Sequence, residues 1–233
     1  MKVFLLSGLG ADKRLFSYLD LSGYDVTDVQ WPVPSVKDSM ETYARKLVAQ
    51  VDDDDPVLIG VSFGGMMAVE IGKIIRVNKI ILISSSAVAD ELPALYRVAG
   101  KLKVHRLMTG WLLKNSHRFM NWVMGAADPA RRKLLAAMLR DSDERFLYWA
   151  IDKVVTWKNE IVPPNVFRIH GSNDRVLPKA ITDYLVEGGG HLIVANRADE
   201  VTRYVREILA YSTRNADSAS DSSAPLLSTD NLR

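Results

Sequence analysis

At 233 residues the chain is long enough to bury one large core, and two separate cores would both be small. Its 30 Lys and Arg nearly balance 28 Asp and Glu, leaving a formal charge of +2 and no general attraction for nucleic acid. Zero cysteines exclude disulfides and thiolate metal sites, and no apolar run approaches the ~20 residues of a membrane-spanning helix. Val3-Phe4-Leu5-Leu6 is too short for the apolar region of a signal peptide, so a cytoplasmic protein without integral membrane association is expected.

Lys2 to Leu6 reads as the first strand, Lys13 to Leu19 as a short helix, and Tyr24 to Val29 as a second strand stopped by Trp31-Pro32-Val33-Pro34. Val36 to Val51 follows as a helix, with Met40, Tyr43, Ala44, Leu47, Val48 and Val51 at helical spacing and Ser35 as N-cap. Asp52 to Asp55 lack the alternation and the glycine of a calcium loop, and read as a solvated turn. Val57-Leu58-Ile59 is a short buried strand, Met66 to Ile75 a helix, and Lys79 to Ile83 a fourth strand. Between Ser84 and about Pro163 the pattern turns helical, over Leu95 to Leu113, Ser116 to Met124, Pro129 to Leu139 and Asp143 to Val155. Asn165 to Ile169 and Asp183 to Glu187 are the fifth and sixth strands, and Asp199 to Tyr211 is a final helix. Short apolar runs alternating with helical periodicity predict an α/β fold, a mostly parallel six-stranded sheet with helices on both faces. The expected division is a core of 1–83 and 164–211, a helical insertion over 84–163, and a disordered Ser- and Asp-rich tail over 212–233.

The chemistry is concentrated at three strand ends. Gly60-Val61-Ser62-Phe63-Gly64 follows the third strand and opens a helix. A serine at such a turn takes strained backbone angles that project its hydroxyl, and only very small neighbours two residues away avoid collision. Such a hydroxyl needs an imidazole to remove its proton and a carboxylate to orient that imidazole. The loop His170-Gly171-Ser172-Asn173-Asp174-Arg175-Val176-Leu177-Pro178 offers Asp174, and Gly188-Gly189-Gly190-His191 offers His191. All three lie just past predicted strands, where open parallel sheets hold ligands. His170 in a strand-end loop reads as a packing or capping residue, and His105 and His117 as helix-surface residues. With no Cys and no clustered His, no metal site is expected. Gly8-Leu9-Gly10, with Asp28 roughly 20 residues on, partly matches a dinucleotide fingerprint, but Lys13 stands where close helix packing needs Gly or Ala. No cofactor is expected.

The motifs Gly60-x-Ser62-x-Gly64-Gly65, His170-Gly171-x-x-Asp174-x-x-x-Pro178 and Gly190-His191, in that order, make the chain resemble the α/β-hydrolase fold superfamily over residues 1 to about 211, the middle segment apart. The resemblance implies a compact α/β-hydrolase fold in which Ser62 is the nucleophile, Asp174 the acid and His191 the general base. It also implies an oxyanion hole from the backbone N–H groups of Phe63 and Leu9. Many relatives carry His-Gly where this chain has Ser7-Gly8, which bears on the geometry of the Leu9 donor. The implied activity is hydrolysis of a carboxyl ester or related acyl bond of a small-molecule substrate. A ligand-binding protein or a lyase on the same fold stays open as the alternative.

The middle segment is then a cap over the site. Four of the five tryptophans lie in it, Trp111, Trp122, Trp149 and Trp157, and these, with Trp31 at the end of the second strand, are the candidate substrate contacts. A helical cap must also bury a core of its own, and Trp does that well. Arg97, Lys101, Lys103, His105, Arg106, Lys114, His117 and Arg118 form either a solvated helix face or a site for an anionic group.

Overall fold

The computed structural model describes residues 1–103, 122–125, 128–178 and 181–211. The expected tail over 212–233 and the helix expectations over 104–121 lie outside them. Within the described residues a six-stranded sheet has the order β2-β1-β3-β4-β5-β6, and every pair is parallel. The strands are β1 Lys2–Leu6, β2 Asp25–Asp28, β3 Val57–Val61, β4 Lys79–Ile83, β5 Val166–Gly171 and β6 Tyr184–Val186. After β1 the chain builds β2 on one side, then crosses back to lay β3 on the other. The loops leaving β1 and β3 therefore part at their C-terminal ends and leave a crevice.

Strand periodicity sorts the core into two layers. Phe4, Leu6, Leu58, Ile80 and Leu82 face helices α1 (Met40–Val48) and α2 (Phe63–Gly72). Val3, Leu5, Ile59, Ile81 and Ile83 face a 3-10 helix (Lys13–Tyr18) and the C-terminal helices α6 (Ile193–Asn196) and α7 (Ala198–Ala210). β3 and β4 are buried along their whole length, which is why they read as unbroken apolar runs. Between β4 and β5 the described residues form α3 (Ala94–Leu102), α4 (Pro129–Asp141) and α5 (Glu144–Thr156). α3 and α5 touch backbone to backbone, because a Cβ on Gly100 would run into the Val155 carbonyl. Among the described residues no helix is long and apolar enough to cross a membrane.

Two helix starts differ from the sequence expectation by three residues or more, for local reasons. α1 begins at Met40 and not at Val36, and its N-cap is Ser39 and not Ser35. Ser39 Oγ accepts from the Thr42 amide while Thr42 Oγ1 accepts from the Ser39 amide, a reciprocal capping box. Ser35 is tied instead into a turn with Asp38, whose Oδ2 accepts its amide at 2.7 Å. α2 begins at Phe63, three residues before Met66, since the helix starts directly at the residue after Ser62.

Ser39→Ala is expected to destabilise the chain by about 1 kcal/mol in urea unfolding, with an unchanged denaturant slope. Ser35→Ala should cost less than about 0.5 kcal/mol, and equal losses would contradict the assignment of the cap.

Candidate active site

Ser62 sits between β3 and α2 with φ 53° and ψ −120°, a conformation that L-residues avoid. The surrounding backbone holds it there. Its amide donates to the Ile83 carbonyl at 3.0 Å, and its carbonyl accepts from Ser85 Oγ at 2.6 Å and from the Gly65 amide at 3.0 Å. The glycines supply clearance. A Cβ on Gly60 would meet the backbone of Gly64 and Gly65, and one on Gly64 would run into the carbonyls of Leu6 and Ser7. Gly64 and Gly65 thus lie inside α2, where chain-breaking glycines are unexpected, because β1, β3 and α2 approach there at backbone distance.

Sequence positions 62, 174 and 191 converge at this point. His191 Nε2 lies 2.9 Å from Ser62 Oγ, and His191 Nδ1 lies 2.8 Å from Asp174 Oδ2. Both His191 and Asp174 are buried. Burial pushes the Asp174 carboxyl up, but the His170 ring 3.0 Å away and the hydrogen bonds from His191 and the Leu177 amide outweigh it and hold the group well below the usual carboxylate range. The two loops are fastened to one another, with the Asn173 amide donating to the Gly189 carbonyl at 2.8 Å. A Cβ on Gly171 would strike that same Gly189 carbonyl.

Leu9 and Phe63, the candidate oxyanion donors, both line the cavity that reaches Ser62. Phe63 is the first residue of α2, so its amide has no intrahelical acceptor. Gly8 packs against Ser62, a Cβ there lying 3.3 Å from the serine Cβ. The Ser7 departure has a structural reading of its own. Ser7 Oγ donates to the Ala11 carbonyl at 3.0 Å and accepts from Trp31 Nε1 at 2.8 Å, fastening the Ser7–Ala11 loop from both sides. That turn runs into a six-residue 3-10 helix, and not into an α-helix whose N-terminus would cradle a pyrophosphate. Among the described residues no group of three His, Asp or Glu side chains is gathered for a metal.

The tryptophans go elsewhere than the sequence suggests. The cavity has a volume of about 460 Å³, and its described wall holds no Trp. Trp149 is buried against Tyr43, ring centroids 4.3 Å apart, and donates to the Asp38 carbonyl. Trp157 is buried and donates to Glu70 Oε1 at 2.8 Å. Trp31 packs 5.6 Å from Phe63 and 5.4 Å from Phe146, one layer behind the cavity. Trp122 is 58% exposed beside the Arg175 guanidinium. Trp111 lies outside the described residues. The correction has a plain cause: an indole has a large apolar face and one N–H, and the core offers both burial and an acceptor.

The wall is instead aliphatic. Leu92, Ala99, Leu139, Ile151 and Val154 line it, and the hydroxyl side chains among its lining residues are those of Ser62 and Tyr96. Tyr96 OH is already occupied, donating to the Val176 carbonyl at 3.1 Å. Sequence reasoning passed over Tyr96 and Ser85, which carry no motif. Their only signal was position, one in the helical segment after the fourth strand and one just after that strand.

Residues 3–203 match the sequence profile of the alpha/beta hydrolase family. The chain belongs to that family. As an alpha/beta hydrolase it is similar in structure to a thermophilic esterase from Thermogutta terrifontis, with TM-score 0.67, 17% identity, and 90% of this chain covering 89% of that one. It is also similar to MenH from S. aureus, with TM-score 0.70, 17% identity, and 90% and 93% coverage. The enol-lactonase from Burkholderia xenovorans LB400 gives TM-score 0.61, 15% identity, and 90% and 91% coverage. At these identities the likeness is one of fold. No curated protein matches the chain in sequence.

The depressed Asp174 carboxyl makes a stability prediction. Its contribution is complete above the unfolded carboxyl's pKa of about 3.9 and is lost as pH falls toward the lower folded value. Wild type should therefore be more stable than Asp174→Asn at pH 7, and their urea midpoints should converge as pH falls from about 5 to about 2. A constant gap over that range would show that the ionised carboxylate is not the source of the difference.

Proposed function

We propose that this alpha/beta hydrolase is a serine hydrolase cleaving a carboxyl ester or related acyl bond of a small to medium, largely apolar substrate. The observation that carries the reading is the unbroken hydrogen-bond path from Ser62 Oγ through His191 to Asp174, opening on an aliphatic cavity. In this reading residues 84–163 act as the cap, and the location is cytoplasmic. An esterase and an enol-lactonase among proteins of similar fold support C–O bond cleavage as the reaction class.

The steps follow from the geometry. Ser62 Oγ attacks the substrate carbonyl carbon as His191 Nε2 takes its proton, and the charge that builds on the carbonyl oxygen is held by the Phe63 and Leu9 amides. Asp174 remains ionised and stabilises the imidazolium through Nδ1. His191 then gives its proton to the leaving alcohol oxygen as the C–O bond breaks. Water attacks the acyl-enzyme by the same route and releases the acid and free Ser62. An aspartyl-type nucleophile is not available, since serine holds the elbow.

The cavity wall argues for the apolar part of the substrate. A polar group placed there without a partner loses its hydration at a cost of roughly 2–7 kcal/mol, while each buried methylene gains about 0.8 kcal/mol.

A panel of p-nitrophenyl esters of rising acyl length tests this reading. kcat/KM should climb about fourfold per methylene until the cavity is filled. Ser62→Ala should lose turnover by about 10⁴-fold or more. Ligand binding without turnover, and with no labelling of Ser62 by a fluorophosphonate, would point to the non-hydrolytic alternative. Carbon–carbon cleavage products without ester turnover would point to a lyase.

A further inference from the structure

The steps above leave unused a second imidazole on Asp174. His170 lies near the C-terminal end of β5, four residues before Asp174, with its ring buried. Its Nε2 stands 3.0 Å from Asp174 Oδ2 and 3.0 Å from the Leu177 carbonyl oxygen. Both oxygens are acceptors, and a bare ring nitrogen would face two sets of lone pairs. Nε2 therefore carries the proton, and the tautomer is set by the site.

The arrangement closes on itself. Leu177 accepts from His170 through its carbonyl and donates to Asp174 Oδ1 through its amide at 3.0 Å, with the Val176 amide on the same oxygen at 2.7 Å. Oδ2 is the oxygen that His191 Nδ1 approaches at 2.8 Å. The carboxylate thus meets two amides on one oxygen and two imidazoles on the other, with no exposed side-chain surface. Simple packing would need only the Leu177 contact; the ring is placed so that the same nitrogen also stands 3.0 Å from Oδ2.

We propose that His170 is a positioning residue for the reaction at Ser62. With its Nε2–H beside Oδ2 it holds that oxygen toward His191 and draws negative charge off it. This limits how strongly Asp174 makes His191 hold, at Nε2, the proton gained from Ser62 that must pass to the leaving group. His170 acts through Asp174 and touches no reacting atom. The inference rests on the acyl-transfer reading of the same site.

The titratable groups facing the carboxylate are His170, His191 and, from α3, the Tyr96 hydroxyl. Burial raises the Tyr96 hydroxyl above its ordinary range, so it stays neutral through the acidic pH region and does not move with the imidazoles. Removing the His170 donor leaves more charge on Oδ2, so His191 should hold its proton to higher pH.

The test compares His170→Gln, whose amide nitrogen can reach the place of Nε2, with His170→Asn, whose shorter amide stops short of Oδ2. His170→Leu is a second donor-free variant should the Asn chain not fold. Each full-length chain is assayed with p-nitrophenyl butyrate, and the pH dependence of Ser62 labelling by a fluorophosphonate is followed. The donor-free variant should lose on the order of 10- to 100-fold in kcat with KM within about twofold, and its labelling rate should fall off at higher pH than wild type. His170→Gln should recover most of the rate and the wild-type acid limb. Wild-type kinetics in the donor-free variant, or equal losses in the Gln and donor-free chains with the acid limb unmoved, would overturn the proposal. A wild-type chain that neither hydrolyses the ester nor takes the label removes the acyl-transfer reading itself, and this inference with it.

Discussion

Asp174 is an ionised group with no solvent of its own, and the rest of the site is arranged around that fact. A buried carboxylate survives as an anion only when donors replace the water it has lost. Here they come from three places in the chain: the strand end at His170, the loop amides of Val176 and Leu177, and the glycine turn that carries His191. Satisfying the charge and aligning the imidazole are the same geometric event. The hydrogen bond that stabilises Asp174 also aims His191 Nε2 at Ser62.

The serine is held by a different means. Its positive φ costs of order 1–3 kcal/mol, which persists only where the surroundings leave no alternative. β4 accepts its amide, Ser85 binds its carbonyl, and glycine at 60 and 64 lets three backbones meet around it. Sheet packing, and not the hydroxyl's own contacts, therefore stores the strain. This arrangement also places the Phe63 amide at a helix start with nothing inside the helix to accept it, beside the Gly8-Leu9 turn.

Polarity is partitioned sharply across the site. Hydrogen-bonding groups gather at the strand ends, while the space above Ser62 is bounded by aliphatic side chains from the β4–β5 connection. Phe63 and Tyr96 join that wall, and one layer back Trp31, Phe146 and Trp149 pack against Phe63 and, with Tyr43, hold α1, α2 and α5 together. Trp31 links the two regions, because its indole N–H steadies Ser7 at the start of the loop that carries the second proposed oxyanion donor.

Much of this was written locally. Binary pattern and β-branched runs determined six strands within a residue or two, and Gly60, Ser62, Gly64, Asp174 and His191 were legible because strained turns and proton transfer each restrict residue type at fixed places in the chain. Other features had no local signature. Ser39 in place of Ser35 as the cap depended on where Asp38 sends its side chain, and the role of His170 depended on a carbonyl and a carboxylate converging on one nitrogen. Whether a tryptophan faces a cavity or a core is not encoded by helical spacing, since either outcome buries the ring. Only the packing of α5 onto α1 and α2 decided it, because orientation between elements is set by contacts distant in sequence, whereas periodicity reports only which residues are buried.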